Sequence, residues 1–144
     1  MSETLLDASM LIAHLWQEHE FHAVARRWMN LNAHKGWATC AVTQAAFVRI
    51  LSNPSVSKNG VSLENALELL EVNLAHPHHH YWRDDRGAVE AIRRVQLESH
   101  HQVTDAYLLG LALRHKGRFV TMDRRIAKLM PRGADPDALE IIRA

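Results

Sequence analysis

The stretch Val103-Thr-Asp-Ala-Tyr-Leu-Leu-Gly-Leu-Ala-Leu-Arg-His-Lys-Gly-Arg-Phe-Val-Thr-Met-Asp123 decides the fold of this chain. It opens on Thr104-Asp105, continues as an almost wholly apolar helix, turns at Lys116-Gly117 and emerges as a short strand, Phe119-Val120-Thr121, that delivers Asp123. An apolar helix running straight into a buried strand is half of an α/β unit. Asp105 stands at a helix start and Asp123 at a strand exit, positions where a carboxylate caps, turns or ligates a metal.

A third carboxylate bears on that choice. Leu5-Leu6-Asp7-Ala8-Ser9 is another short apolar run that ends in Asp and leads into a helical pattern. Two strands ending in Asp, within an α/β pattern, suggest a shared crevice at the carboxyl edge of a parallel sheet.

The remaining pattern agrees. Ser9 can cap a helix carrying Ile12, Leu15 and Trp16, and Phe21, Val24, Trp28 and Leu31 repeat at helical period. Gly36 precedes a second strand within Trp37–Val42, and Thr43 can cap a helix with Ala46, Phe47, Ile50 and Leu51. Residues 52–60, rich in Ser, Asn, Pro and Gly, form the clearest loop. Ser62 can cap a helix whose apolar stripe is Leu63, Ala66, Leu67, Leu70 and Leu74, and a further helix carries Ala88, Val89, Ile92 and Val95. Arg124–Met130 reads as a short helix and Leu139–Ile142 as a last strand. The sum is an α/β sandwich with four or so short strands in a mainly parallel sheet.

At 144 residues, 47% hydrophobic and 23% charged, the chain is expected to form one domain, 1–144, with one ordinary core. A net charge of +1 excludes a strong overall field, so any nucleic-acid contact must come from a local basic patch. Cys40 is the sole cysteine, which excludes an internal disulfide and a cysteine-built zinc site and suits a reducing, cytoplasmic setting. No apolar run of signal-peptide or membrane-span type occurs, so no membrane association is expected.

Hydrolysis of a phosphodiester brings negative charge towards a group already negative, and carboxylates do this well through Mg²⁺ or Mn²⁺. Mg²⁺ takes oxygen ligands, keeps several waters and needs only one or two direct carboxylates. Asp7, Asp105 and Asp123 meet that requirement if the fold unites them, and Ser9, Thr104 and Thr121 lie close enough in sequence to orient them. Read singly, each Asp also fits a helix start or a turn.

Three blocks, Leu5-Leu6-Asp7-Ala8-Ser9, Val103-Thr104-Asp105-Ala106-Tyr107-Leu108-Leu109 and Val120-Thr121-Met122-Asp123-Arg124, resemble the PIN-domain ribonucleases, and more narrowly the VapC-type toxins of bacterial type II toxin–antitoxin modules. Thr43-Gln44-Ala-Ala-Phe47-Val48-Arg49 and Leu51-Ser52-Asn53-Pro54 share the resemblance, which spans essentially the whole chain. It implies a three-layer α/β/α sandwich and a Mg²⁺- or Mn²⁺-dependent endoribonuclease acting on RNA, often a homodimer, silenced by a cognate antitoxin that covers or enters the acidic cleft. Asp7, Asp105 and Asp123 match three acidic positions of that family. At the fourth, usually Glu in the helix after the second strand, stands Gln44, which offers a carbonyl oxygen without charge; Asp84 or Asp85 could compensate.

Arg124 and Arg125 follow Asp123 directly and are the best-placed phosphate contacts; Arg49, Arg83, Arg86, Arg93, Arg94 and Lys128 fit either RNA binding or a solvated helix face. His100 and His101 could approach a phosphate but read more simply as exposed. The run His76-Pro-His-His-His80 reads as a solvated loop, because adjacent imidazoles cannot all converge on one ion. Trp16 and Trp28 fall on apolar stripes, while Trp82 could be core or base-stacking surface. A haloacid-dehalogenase phosphatase would need a second Asp where Ser9 stands, and a receiver domain would need an acidic pair and a late Lys arranged otherwise. The remaining alternative is a weakly active or inactive PIN-fold protein, with Gln44 in the cluster, that binds RNA or a partner protein.

Overall fold

The computed structural model describes residues 3–58 and 60–143, so Asn59 of the 52–60 loop and the outermost residues of the expected 1–144 unit lie outside it. Its strands are β1 (Thr4–Leu6), β2 (Trp37–Thr39), β3 (His79–Tyr81), β4 (Arg118–Thr121) and β5 (Leu139–Ile141). Its α-helices are α1 (Ala8–Leu15), α2 (His22–Asn32), α3 (Ala41–Leu51), α4 (Leu63–Leu74), α5 (Ala88–Ile92) and α6 (Val103–Arg114). The strands form one sheet in the order β3-β2-β1-β4-β5, and every pair is parallel.

Parallel strands with helices on both faces must be apolar on both sides, and period-two alternation divides their side chains between two cores. Leu6, Val120 and Trp37 pack with α1–α4, whereas Leu5, Phe119 and Ala38 pack with α6 and the 3-10 turn Arg124–Leu129. The result is a three-layer α/β/α sandwich. Helix α6 lacks a polar face over most of its length because Ala106 and Leu108 through Ala112 are all buried. Gly110 allows α5 to cross against it: a Cβ there would stand 1.9 Å from the carbonyl oxygen of Ala91.

The turn after α6 divides its labour between two residues. Lys116, not Gly117, takes the left-handed conformation (φ 53°). Gly117 is needed for space, since its Cβ would lie 2.7 Å from the backbone oxygen of Glu3 and 2.6 Å from the Trp82 ring. Trp82 is core: it is buried, stacks on His115, and donates its indole N–H to Glu3 Oε1 at 2.9 Å.

Several local expectations are corrected. Asp7, not Ser9, is the N-cap of α1, accepting from Ala8 N. Cys40 occupies the N-cap of α3, while Thr43 in the first turn accepts from Cys40 N. Leu31, Leu63 and Leu67 are exposed; α2 instead buries Ala25, Trp28 and Met29, and α4 buries Ala66 and Leu70. The histidine run is only partly loop, because His79–Tyr81 forms edge strand β3, with the His79 ring bonded to buried Thr39 at 2.8 Å.

Candidate active site

The chain leaves β1 for β2 and β3 on one side, then returns to place β4 on the other side of β1. Strand order reverses at β1 and β4, and the crevice beyond their carboxyl ends is the position where parallel sheets present functional groups. Asp7 directly follows β1, and Asp123 lies two residues beyond β4. A helix leading back to a parallel strand starts at the sheet's carboxyl edge, so the first turn of α6 brings Asp105 to the same crevice.

Hydroxyl groups join these segments. The fully buried Thr121 donates to Asp7 Oδ2 at 2.6 Å and accepts from Asp123 N at 3.1 Å. Ser9 reaches Asp7 Oδ2 at 3.5 Å and accepts from Met122 N at 3.4 Å. The exits of β1 and β4 are thereby tied together by side chains in addition to the strand ladder.

Electrostatics record how closely the carboxylates crowd. Desolvation raises the pKa of Asp7, against the bond from Thr121, and the Asp123 charge adds to the rise. Desolvation, with the like charges of Asp7 and Asp123, pushes Asp105 up to about 6. Asp123 is instead held low, mainly by Arg125, whose guanidinium bonds its two oxygens at 3.0 and 2.8 Å. Among the described residues no three His, Cys, Asp or Glu side chains converge closely enough to enclose a metal in this arrangement. The donor set nevertheless suits a hard cation: it consists of carboxylate oxygens, two of them mutually repelled and partly desolvated, and Mg²⁺ completes its shell with water.

The other residues singled out from the sequence divide. Thr104 is exposed and lines a cavity with Val42, Asp84, Val103 and Tyr107, with no bond to a carboxylate. Gln44 donates its amide to Thr39 Oγ1 at 2.9 Å and lines a groove against α4 with Glu64, Glu68 and Glu71. Asp84 cannot compensate for a missing charge there. Its oxygens accept from Tyr107 Oη, Arg114 and the N–H groups of Arg86 and Gly87. Burial alone would raise the Asp84 carboxyl, but these bonds hold it well below the usual carboxylate range. Arg124, Arg125 and Lys128 are exposed on the turn after Asp123.

Beside Asp105 lies a cavity of ≈ 210 Å³ that also takes in Ser99, Gln102, Arg125, Ile126, Lys128 and Leu129. Sequence reasoning missed the part played by Ser99 and Gln102, although Ser-x-x-Gln is a capping-box signature. Ser99 Oγ accepts from His101 N at 3.3 Å, and Gln102 Oε1 accepts from Glu98 N and Ser99 N at 2.9 and 3.1 Å.

Comparison with known proteins agrees with this fold. The family model described as PIN domain matches residues 4–130. Ribonuclease VapC44 of Mycobacterium tuberculosis is 41% identical over 132 residues, covering 90% of this chain and 92% of that protein. Ribonuclease VapC39 of the same species is 38% identical over 125 residues, covering 85% and 90%. Among solved structures, VapBC2 from Rickettsia felis bound to a promoter DNA fragment superposes with a TM-score of 0.64 at 11% identity, covering 97% of this chain and 98% of that one. FitAB bound to the IR36 DNA fragment gives 0.55 at 17%, covering 88% and 92%. At those identities the two structures speak for the fold alone.

Proposed function

The chain belongs to the PIN-domain family, and from that premise we propose that it is a divalent-metal-dependent endoribonuclease, the toxin of a type II toxin–antitoxin pair. One observation carries the reading. Asp7 and Asp123 follow neighbouring strands where strand order reverses, near enough to Asp105 that their charges, after burial, help push it up to about 6. Such crowding without a cation raises the free energy of the site, and the ribonuclease names of relatives at 38–41% identity support a use for it.

Asp7, Asp105 and Asp123 would hold Mg²⁺ or Mn²⁺, which when bound supplies a polarised water and neutralises charge at the scissile phosphate. The residues of the chain do the rest. Thr121 and Ser9 hold Asp7 through Oδ2, and Ala8 N holds it through Oδ1, so the carboxylate is fixed in orientation. Arg125, bonded to Asp123, and the neighbouring exposed Arg124 offer guanidinium groups to the RNA backbone. Gln44, with its NH₂ committed to Thr39, has only its carbonyl oxygen to contribute, and Thr104 takes no part. The same reading takes 1–144 as one domain working in the cytoplasm as a homodimer, with RNA as substrate and a cognate antitoxin as partner. No described helix is long and apolar enough to cross a membrane.

The test is cleavage of total RNA and tRNA with and without Mg²⁺ or Mn²⁺, comparing wild type with Asp105→Asn. Metal-dependent cuts absent from a folded Asp105→Asn protein are the expected result. Identical background in both would leave a PIN-fold protein that binds without cutting.

A further inference from the structure

A chain of hydrogen bonds links the first turn of α3 to the end of α4 by way of two strands. Gln44 Nε2 bonds Thr39 Oγ1 at 2.9 Å, Thr39 Oγ1 bonds His79 Nε2 at 2.8 Å, and His79 Nδ1 bonds the Leu74 carbonyl at 3.0 Å. Thr39, the last residue of β2, is fully buried, so water does not compete for its hydroxyl. The His79 ring lies against Trp37 with centroids 4.7 Å apart.

The direction of every bond in the chain follows from its far end. A carbonyl oxygen only accepts, so His79 Nδ1 carries the hydrogen and Nε2 of the neutral ring is bare. A bare nitrogen also only accepts, so the single hydroxyl hydrogen of Thr39 goes to it. Thr39 is left with lone pairs for Gln44, whose NH₂ must face it, and the free end of the amide is therefore the oxygen. A protonated His79 would donate from both nitrogens. Thr39 would then keep an unpaired buried hydroxyl hydrogen, or the Gln44 amide would turn end for end. Burial, with His80 and His76 nearby, holds the His79 pKa below its ordinary value, against the Leu74 bond and the charge of Glu3.

Resting on the ribonuclease reading above, we propose that Thr39 and His79 are positioning residues for Gln44, fixing its amide so that the carbonyl oxygen is the end offered to a cation. Gln44 stands in the first turn of α3, which leaves the carboxyl end of β2. An amide free to turn would present its NH₂ as readily as its oxygen, and an NH₂ group repels a metal ion. The chain also matches residue type to protonation. A Glu in place of Gln44 could not donate to Thr39 and would draw the hydroxyl hydrogen away from His79 Nε2. The amide at position 44 and the neutral ring of His79 thus require each other.

Histidine-labelled protein, free of metal and RNA, is followed by nitrogen NMR over a pH series, with the His79 signals identified by their loss in His79→Gln. A bare Nε2 at neutral pH is expected, and a hydrogen on Nε2 overturns the proposal. Gln44→Glu should raise the His79 midpoint by about one pH unit, a tenfold gain in proton affinity, because Thr39 then donates to the carboxylate and Nε2 is free to take a proton. A new negative charge acting through space would also raise it, so the comparison is repeated with Thr39→Val in both proteins. There the rise should shrink to the through-space part; an undiminished rise, or no rise with Thr39 intact, overturns the proposal. Function is read as the Mg²⁺ concentration for half-maximal cleavage, which Thr39→Val should raise roughly tenfold and Thr39→Ser should restore. Equal Mg²⁺ midpoints in all three proteins overturn the positioning role and leave the nuclease reading in place. No metal-dependent cutting by the wild type overturns the nuclease reading, while the histidine signals still decide the hydrogen-bond chain.

Discussion

Gly110→Ala is the most demanding perturbation the packing offers. In an isolated helix the change would help, since Ala exceeds Gly by about 1 kcal/mol in helix interiors. Here the new Cβ would stand 1.9 Å from the Ala91 carbonyl oxygen and 2.5 Å from its carbonyl carbon. Real Cβ contacts stay beyond 3.0 Å, so α5 must retreat by roughly 1.1 Å. The obstruction is backbone, which no rotamer change relieves. Overpacking of this kind costs about 1–3 kcal/mol or more, and at the upper end it outweighs the propensity gain. We expect a net loss of about 2 kcal/mol, a fall in Tm of about 6 °C for a chain of this size. Urea unfolding monitored by circular dichroism measures it. Ala91→Gly in the same background should give no rescue, because the clash is with the main chain of residue 91. Stability equal to or above wild type in Gly110→Ala would refute the claim that α5 and α6 touch backbone to side-chain-less backbone.

Other outcomes follow from the same geometry. Desolvation, aided by the positive charge of Arg26, pushes His14 down to about 4 from an ordinary 6.5, so the unfolded chain takes up its proton first. That contribution to stability is intact above pH 6.5 and is lost as pH falls through 6.5 towards 4, to the extent of up to about 3 kcal/mol; His14→Gln should flatten that part of the urea-midpoint profile, and an unchanged profile rejects the assignment. Arg114 bonds Asp84, Glu90 and the Gly87 carbonyl, so Arg114→Met should loosen residues 84–92 and speed their amide hydrogen exchange; unchanged protection there would sink the idea. Leu5→Ala, at a fully buried position in the central strand, should cost about 2–5 kcal/mol in urea unfolding, and a loss below 1 kcal/mol would place β1 nearer the surface.

How much of this was legible in the sequence depended on whether a residue's neighbours were local. The Val103–Asp123 stretch and the Leu5-Leu6-Asp7 run are read from adjacent positions, and they become α6, β4 and β1 with an Asp beside each sheet exit. The edge strand β3 was hidden because its register with Trp37–Thr39 is written in histidines, with no alternating apolar pattern. The helix caps slipped for two reasons: Asp7 and Ser9 are equally good cap chemistries, so backbone geometry decides between them, and Cys40 caps α3 although Thr43 in the first turn is the better cap type. Trp28, Ala66 and Leu70 of the apolar stripes on α2 and α4 are buried, while Leu31, Leu63 and Leu67 are exposed, since periodicity fixes a face only coarsely and packing decides which side is covered. At the site, the hydroxyls of Ser9 and Thr121 lie against Asp7, but sequence proximity misled for Thr104, which is exposed and lines a separate cavity with Asp84 and Tyr107.

The bond from Thr121 to Asp7 spans 114 positions of sequence. Its two ends leave the ribosome far apart in time. At about 5–20 residues per second, the strand that completes the crevice is made roughly 6–20 s after the first Asp. Until then Asp7 has neither the Thr121 hydroxyl nor Asp123, and the crevice between β1 and β4 has no second side. On the ribonuclease reading proposed above, this order of manufacture keeps an unfinished chain from cutting RNA. Prematurely ended translation products that stop before β4 should be harmless, whatever their abundance.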